Sequence, residues 1–96
     1  MPRVRWSQAA LGDVGRLNDF LASKSPEAAR RAIHTIRRGM KALTTDPEIG
    51  RPVDGMLPEF REWIIEFGQG AYVALYHFDG KQVVVLAIRD GREAGC

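Results

Sequence analysis

The sequence predicts an α+β fold: an N-terminal strand, then an αα-hairpin packed on a small antiparallel β-sheet. Three observations lead there. Apolar residues recur at helical spacing through two stretches of the first half. A Pro- and Gly-punctuated stretch, residues 44–58, then breaks the pattern. The last third holds two strand-like runs, 71–78 and 83–88, on either side of an Asp79-Gly80 turn, a strong local hairpin signal.

Each element has its own justification. Residues 3–6 alternate weakly between charged and apolar and read as a short strand. Ser7 is a candidate helix N-cap, because its hydroxyl can accept a hydrogen bond from an orphan backbone N–H. Ala10, Val14, Leu17 and Leu21 follow at helical spacing, with Leu11 and Phe20 widening the stripe. Gly12 and Gly15 each weaken such a helix by roughly 1 kcal/mol relative to Ala, so its stability must come from packing. The second helix has the clearest start: Ser25 as N-cap, Pro26 at the first position and Glu27 in the first turn. Its apolar stripe is Ala29, Ile33, Ile36, Met40 and Leu43. The short break at Ser23-Lys24-Ser25 makes the two helices antiparallel neighbours.

Residues 44–58 read as a loop, long enough in a small domain to carry function or to wrap a sheet edge. Residues 60–67 read as a strand with Arg61, Trp63, Ile65 and Phe67 on one face and Glu62 and Glu66 on the other. The register of the last hairpin stays open. A two-residue loop sets Tyr72 and Tyr76 beside Val83 and Val85. A three-residue loop with a bulge at Gly80 sets them beside Val84, Leu86 and Ile88. A slip of one residue exchanges the faces. Both faces of the hairpin are largely apolar, so one is expected to pack on the helices and the other to meet a partner.

The bulk numbers bound the class. A chain of 96 residues is expected to form one domain, 1–96, with one small core. No apolar run approaches the roughly 20 residues that span a bilayer. The N-terminal residues lack the apolar segment of a signal peptide, and a cytoplasmic location is expected. The single cysteine, Cys96, cannot form an internal disulfide or a zinc site. The net charge of +2 and pI near 9.0 permit an acidic partner without specifying one.

Candidate chemistry is sparse. His34 and His77 have no cysteine or carboxylate at metal-ligand spacing, and no metal or cofactor site is expected. There is no Gly-rich phosphate loop and no nucleophile elbow. His77 is read first as a solvent-facing hairpin residue, and second as a general base on an RNA 2′-hydroxyl. The arginines carry more. Arg61 lies in an otherwise apolar strand, and Arg89 and Arg92 follow the last one. A guanidinium binds phosphate or carboxylate in a bidentate fork. The structural alternative for Arg61 is a salt bridge to Glu59, Glu62 or Asp90. For Arg92 it is a solvated tail charge. The run Arg30, Arg31, Arg37, Arg38 and Lys41 on the second helix reads as a solvated face, with an acidic or nucleic-acid contact as the minority reading.

The order strand, αα-hairpin, loop and three-stranded meander resembles the RelE/ParE superfamily of type II toxin–antitoxin toxins. The stretches that carry the resemblance are Val4-Arg5-Trp6-Ser7, Gly50-Arg51-Pro52-Val53 and Phe60-Arg61-Glu62. Residues 71–76 and 83–93 complete it. The resemblance implies one of two activities. RelE-like members cut mRNA on the ribosome, with basic sheet residues and a tail tyrosine. ParE-like members act on DNA gyrase. This chain departs from the RelE pattern: Val73 stands where an arginine is expected, no tyrosine follows Arg92, and residues 50–61 contain no lysine. The resemblance therefore favours the ParE-like branch, a gyrase inhibitor with no catalytic residues, no metal and no cofactor.

It also implies a cognate antitoxin whose acidic, partly disordered C-terminal segment wraps the toxin. Leu11, Val14, Leu17, Arg61 and Arg89 are the expected antitoxin contacts, although for Val14 and Leu17 a core role is the favoured reading. Arg89 and Arg92 are the expected contacts to the target. Under the RelE-like alternative, Arg61, His77, Arg89 and Arg92 form the catalytic set of an mRNA endonuclease, and only then is direct nucleic-acid binding implied. A third alternative is a detoxified module that only binds its antitoxin.

Overall fold

The computed structural model describes residues 2–91, so Arg92 and Cys96 lie outside the described residues. Strand β1 (Arg3–Trp6) leads into helix α1 (Gln8–Ala22), and helix α2 (Pro26–Thr45) follows. A two-residue strand β2 (Arg51–Pro52) precedes the meander β3 (Phe60–Phe67), β4 (Gly70–Phe78) and β5 (Gln82–Asp90). The sheet order is β1-β5-β4-β3-β2. The meander and β2 are antiparallel neighbours, and β1 joins β5 in parallel. A parallel pair needs a crossover. Here the αα-hairpin and strands β2, β3 and β4 lie between the two strands in the chain.

Both helix starts form as their residues dictate. Ser7 Oγ accepts from Ala10 N at 3.0 Å, and Ser25 Oγ accepts from Ala28 N at 3.2 Å. Helix α2 buries Ala29, Ala32, Ile36, Met40 and Leu43, and all but Ala29 join the core cluster with the sheet. Ala32 replaces the expected Ile33 in that stripe, and Ile33 is left half-buried at its margin. In α1 only Ala10 is fully buried. Val14, Leu17 and Leu21 pack at the edge of the core, and Leu11 and Phe20 are more than half exposed. The chain comes very close between α2 and β3. A Cβ added to Gly39 would stand 2.8 Å from Ile65 Cγ1, and the Gly39 carbonyl accepts from Trp63 Nε1 at 2.9 Å.

The hairpin register contains both alternatives. Phe78 faces Val83 and Tyr76 faces Val85, but Leu75 faces Ala87 and Ala74 faces Ile88. Leu86 is an extra residue, so the bulge lies mid-strand rather than at Gly80. It flips the parity of β5, and Val83, Val85 and Ile88 all turn to the helices. The turn is held by the Asp79 carboxylate, which accepts from the amides of Lys81 at 2.8 Å and Gln82 at 2.9 Å. These two amides hold the Asp79 carboxyl below its usual range.

Beyond Trp6, β1 no longer covers β5, and α1 takes its place. Ser7 N donates to Val85 O at 2.9 Å, and Ser7 Oγ donates to Leu86 O at 3.3 Å. Asp13 Oδ2 accepts from Ile88 N at 3.0 Å. The backbone groups at the bulge are thus met by side chains of the helix and its cap, as buried polar groups require.

At the far edge, the loop after α2 is fastened by Tyr76. Its hydroxyl donates to Pro47 O at 2.7 Å and accepts from Gly50 N at 3.0 Å. Gly50 has no room for a side chain, because an added Cβ would lie 2.6 Å from the Tyr76 hydroxyl and from the Glu62 carbonyl. The loop does wrap an edge: Arg51 and Pro52 pair with Glu62 and Arg61, and Arg51 Nε lies 3.2 Å from Glu62 Oε1.

Tyr76→Phe strands the buried Gly50 amide and is expected to cost about 1–3 kcal/mol, read from urea unfolding. A loss under about 0.5 kcal/mol would deny the hydroxyl its role. Burial raises the Tyr76 phenol above its ordinary value, and burial with the Asp90 charge raises Tyr72. A raised folded-state pKa gives stability that is whole below about 10, the unfolded value, and is lost as pH rises through the folded value. Unfolding free energy followed from pH 8 upward should fall above about pH 10, and less steeply in Tyr76→Phe.

Candidate functional site

Two concave surfaces flank α1. The first is an apolar groove of about 360 Å³ between α1, α2 and β1. Val4 and Trp6 alternate inward along β1 and form one wall. Leu11 and Val14, one helical turn apart on α1, form the second. Ile33, Ile36 and Met40 on α2 form the third, and Arg37 and Lys41 stand on its rim. Leu11 has 56% of its surface in solvent. The groove is a ready seat for apolar side chains of a partner, with two cations beside it.

The second is a mixed cavity of about 500 Å³ where α1 crosses the ends of β4 and β5. Leu17, Phe20 and Leu21 line it from the helix, and Tyr72 and Ile88 from the sheet. Asp13, Arg16, Arg89 and Asp90 supply the polar groups. Asp13 and Arg16 pair with each other.

The structure therefore divides the three expected groove residues. Leu11 and Val14 line the apolar groove, while Leu17 faces the second cavity. Sequence reasoning missed Trp6, Ile33 and Met40 as groove walls. Ile33 and Met40 belong to the apolar stripe of α2, and a stripe alone does not say which of its residues line a groove. The inward parity of Trp6 with Val4 was the available signal.

Arg61 lies on the core-facing side of β3, opposite Tyr76. Its Nη1 donates to Gly50 O at 2.7 Å and Glu48 O at 3.2 Å, and Nη2 lies 3.7 Å from Glu48 Oε2. Its ion-pair partner is thus Glu48, not Glu59, Glu62 or Asp90. The loop brings Glu48 in by a turn that local spacing does not reveal. The side chain is 21% exposed and is committed to two backbone carbonyls.

His77 faces the other side of the sheet, next to Phe60, with an edge-on ring contact at 5.0 Å. Arg89 is exposed and paired in register with Val73. Val73 lies four residues from His77 on the same face of β4, about 13 Å away at strand rise. Arg61, His77 and Arg89 are therefore not brought together. Among the described residues there is no group of three or more His, Cys, Asp or Glu side chains placed to hold a metal ion. No helix there is long and apolar enough to cross a membrane.

A strand, an αα-hairpin and a bulged meander, with an open groove beside the hairpin, define a RelE/ParE-type toxin subunit. The comparisons agree. The family described as the ParE toxin of the type II toxin–antitoxin system parDE matches residues 4–95. Toxin RelE1 of Caulobacter vibrioides is 38% identical over 87 residues, covering 91% of this chain and 90% of that protein. Toxin RelE3 of the same organism is 30% identical over 93 residues, covering 97% and 98%. A solved structure of the chromosomal ParDE system from P. aeruginosa shares the fold, with a TM-score of 0.77 over 94% of this chain and 96% of that one at 23% identity. The chain belongs to the ParE family of type II toxins, and its membership implies an antitoxin partner.

Arg61→Ala should act on stability first. Losing a charged donor to two carbonyls is expected to cost about 1.5–3 kcal/mol, read as a lowered thermal midpoint. An unchanged midpoint would free Arg61 for a role at the surface.

Proposed function

We propose that this toxin inhibits DNA gyrase in the cytoplasm, and that its antitoxin neutralises it by laying an amphipathic segment in the groove between α1, α2 and β1. The observation that carries the first part is the scatter of Arg61, His77 and Arg89, the candidate nuclease side chains among the described residues. RNA cleavage needs a base, an acid and charge stabilisation around one phosphate. Here Arg61 is tied to loop carbonyls, His77 lies on the opposite face of the sheet, and Arg89 is about 13 Å further along. The family match to ParE supports the same branch.

The groove supports the second part. Its apolar walls suit residues at i, i+3 or i+4, and i+7 of a bound helix, and Arg37 and Lys41 suit carboxylates beside them. A second reading, ribosome-dependent mRNA cleavage, draws on the RelE names of the two curated relatives and on the shared outer sheet face of His77 and Arg89.

A supercoiling assay with purified toxin, with and without antitoxin, tests the proposal. Loss of supercoiling that antitoxin restores is the expected result. Unchanged supercoiling by a folded toxin that cuts mRNA on ribosomes would establish the second reading instead.

Leu11→Asp should weaken antitoxin binding by tenfold or more in a calorimetric titration while leaving the thermal midpoint close to the parent's, because Leu11 is more than half exposed. Unaltered affinity would move the docking site off this groove.

A further inference from the structure

The net charge of +2 conceals a concentration of cations. Helix α2 carries five Arg or Lys residues against one carboxylate, Glu27, so the rest of the chain is net acidic. At about 100° per residue, Arg30, Arg31, His34, Arg37, Arg38 and Lys41 all fall within an arc of about 120°. That arc is opposite the buried stripe of Ala32, Ile36 and Met40. All six residues are exposed, and none forms an ion pair among the described residues. An ordinary solvated helix face intersperses both signs at i, i+4 spacing. This one has a single acid at its start and none over the next three turns.

We propose that this face of α2 is a binding surface for the phosphate backbone of a nucleic-acid duplex. The composition of the arc favours nucleic acid over a protein partner. Protein interfaces are anchored by buried apolar and aromatic side chains, and this arc contains no apolar residue. Backbone contacts to nucleic acid need only Arg and Lys, with guanidinium forks on phosphate oxygens. The dimensions agree. Arg30 to Lys41 spans about 16 Å of helix. One strand of a duplex presents about five phosphates over that length, at 3.4 Å axial rise. Contacts made to phosphate oxygens fix position on the duplex and carry no sequence information. Binding is therefore sequence-independent and strongly salt-dependent. The groove and this surface adjoin at Arg37 and Lys41, while Arg30, Arg31 and Arg38 lie outside the groove lining.

The test is fluorescence anisotropy of a 20-base-pair DNA duplex of arbitrary sequence, titrated with the purified full chain from low to moderate salt. The expected result is saturable binding whose log affinity falls with log salt at a slope of about −3 to −5. The variant R30Q/R31Q/R38Q should lower the magnitude of that slope by nearly 1 per charge removed and weaken binding at least tenfold. A control, R3Q/R5Q/K81Q, removes the same charge elsewhere and should bind like the parent. An RNA duplex run in parallel tells which backbone is preferred. Thermal midpoints of both variants should match the parent, because every substituted residue is exposed. The proposal fails if the parent does not bind at low salt, or if the control weakens binding as much as the α2 variant. It also fails if polyglutamate of equal charge displaces the duplex as well as unlabelled duplex does, which would point to an acidic protein.

Discussion

The phenol of Tyr76 is the point on which one half of the molecule hangs. Its ring is fully buried between the sheet and the helices, and its hydroxyl reaches past the core to fasten the chain just after α2. That contact demands a glycine at position 50 and puts residues 51 and 52 alongside β3. Arg61, opposite Tyr76 in register, completes the fastening with its own bonds to the Gly50 and Glu48 carbonyls. A loop with few apolar residues cannot fold on itself. It is ordered because a buried aromatic and a guanidinium consume its free backbone groups.

The other half depends on the bulge at Leu86. Without it, the residues beyond Val85 would turn their apolar side chains to the wrong face. With it, Ile88 joins the core, and the backbone at the bulge loses regular pairing just where β1 has ended. Ser7 and Asp13 answer that loss from α1. Ser7 thus caps the helix and supports the sheet at once, which couples the entry of α1 to the register of β5. The same coupling sets the apolar groove, since β1 and the first turns of α1 form two of its walls.

The ion-paired cations and those of α2 have different duties. Arg16, Arg51 and Arg61 are paired and serve the fold. Those along α2 form no ion pair among the described residues and are exposed. The apolar groove, with Arg37 and Lys41 beside it, is lined by buried Ile36 and Met40 and by exposed Leu11. A toxin must be both stable alone and tightly held by a partner, and this distribution separates the two demands onto different residues.

The amino-acid pattern by itself determined the helices, their caps, the meander and the family. Those depend on contacts between near neighbours: a serine three residues before an amide, apolar residues every three or four positions, a glycine after an aspartate. It also placed Arg61, Trp63 and Ile65 on one face, because strand parity is local. The tertiary structure alone decided the register beyond the bulge, the parallel pairing of β1, the partner of Arg61 and the separation of Leu17 from Leu11 and Val14. Each of these turns on a contact between segments far apart in sequence, and a stripe of apolar residues does not say which part of it another element will cover.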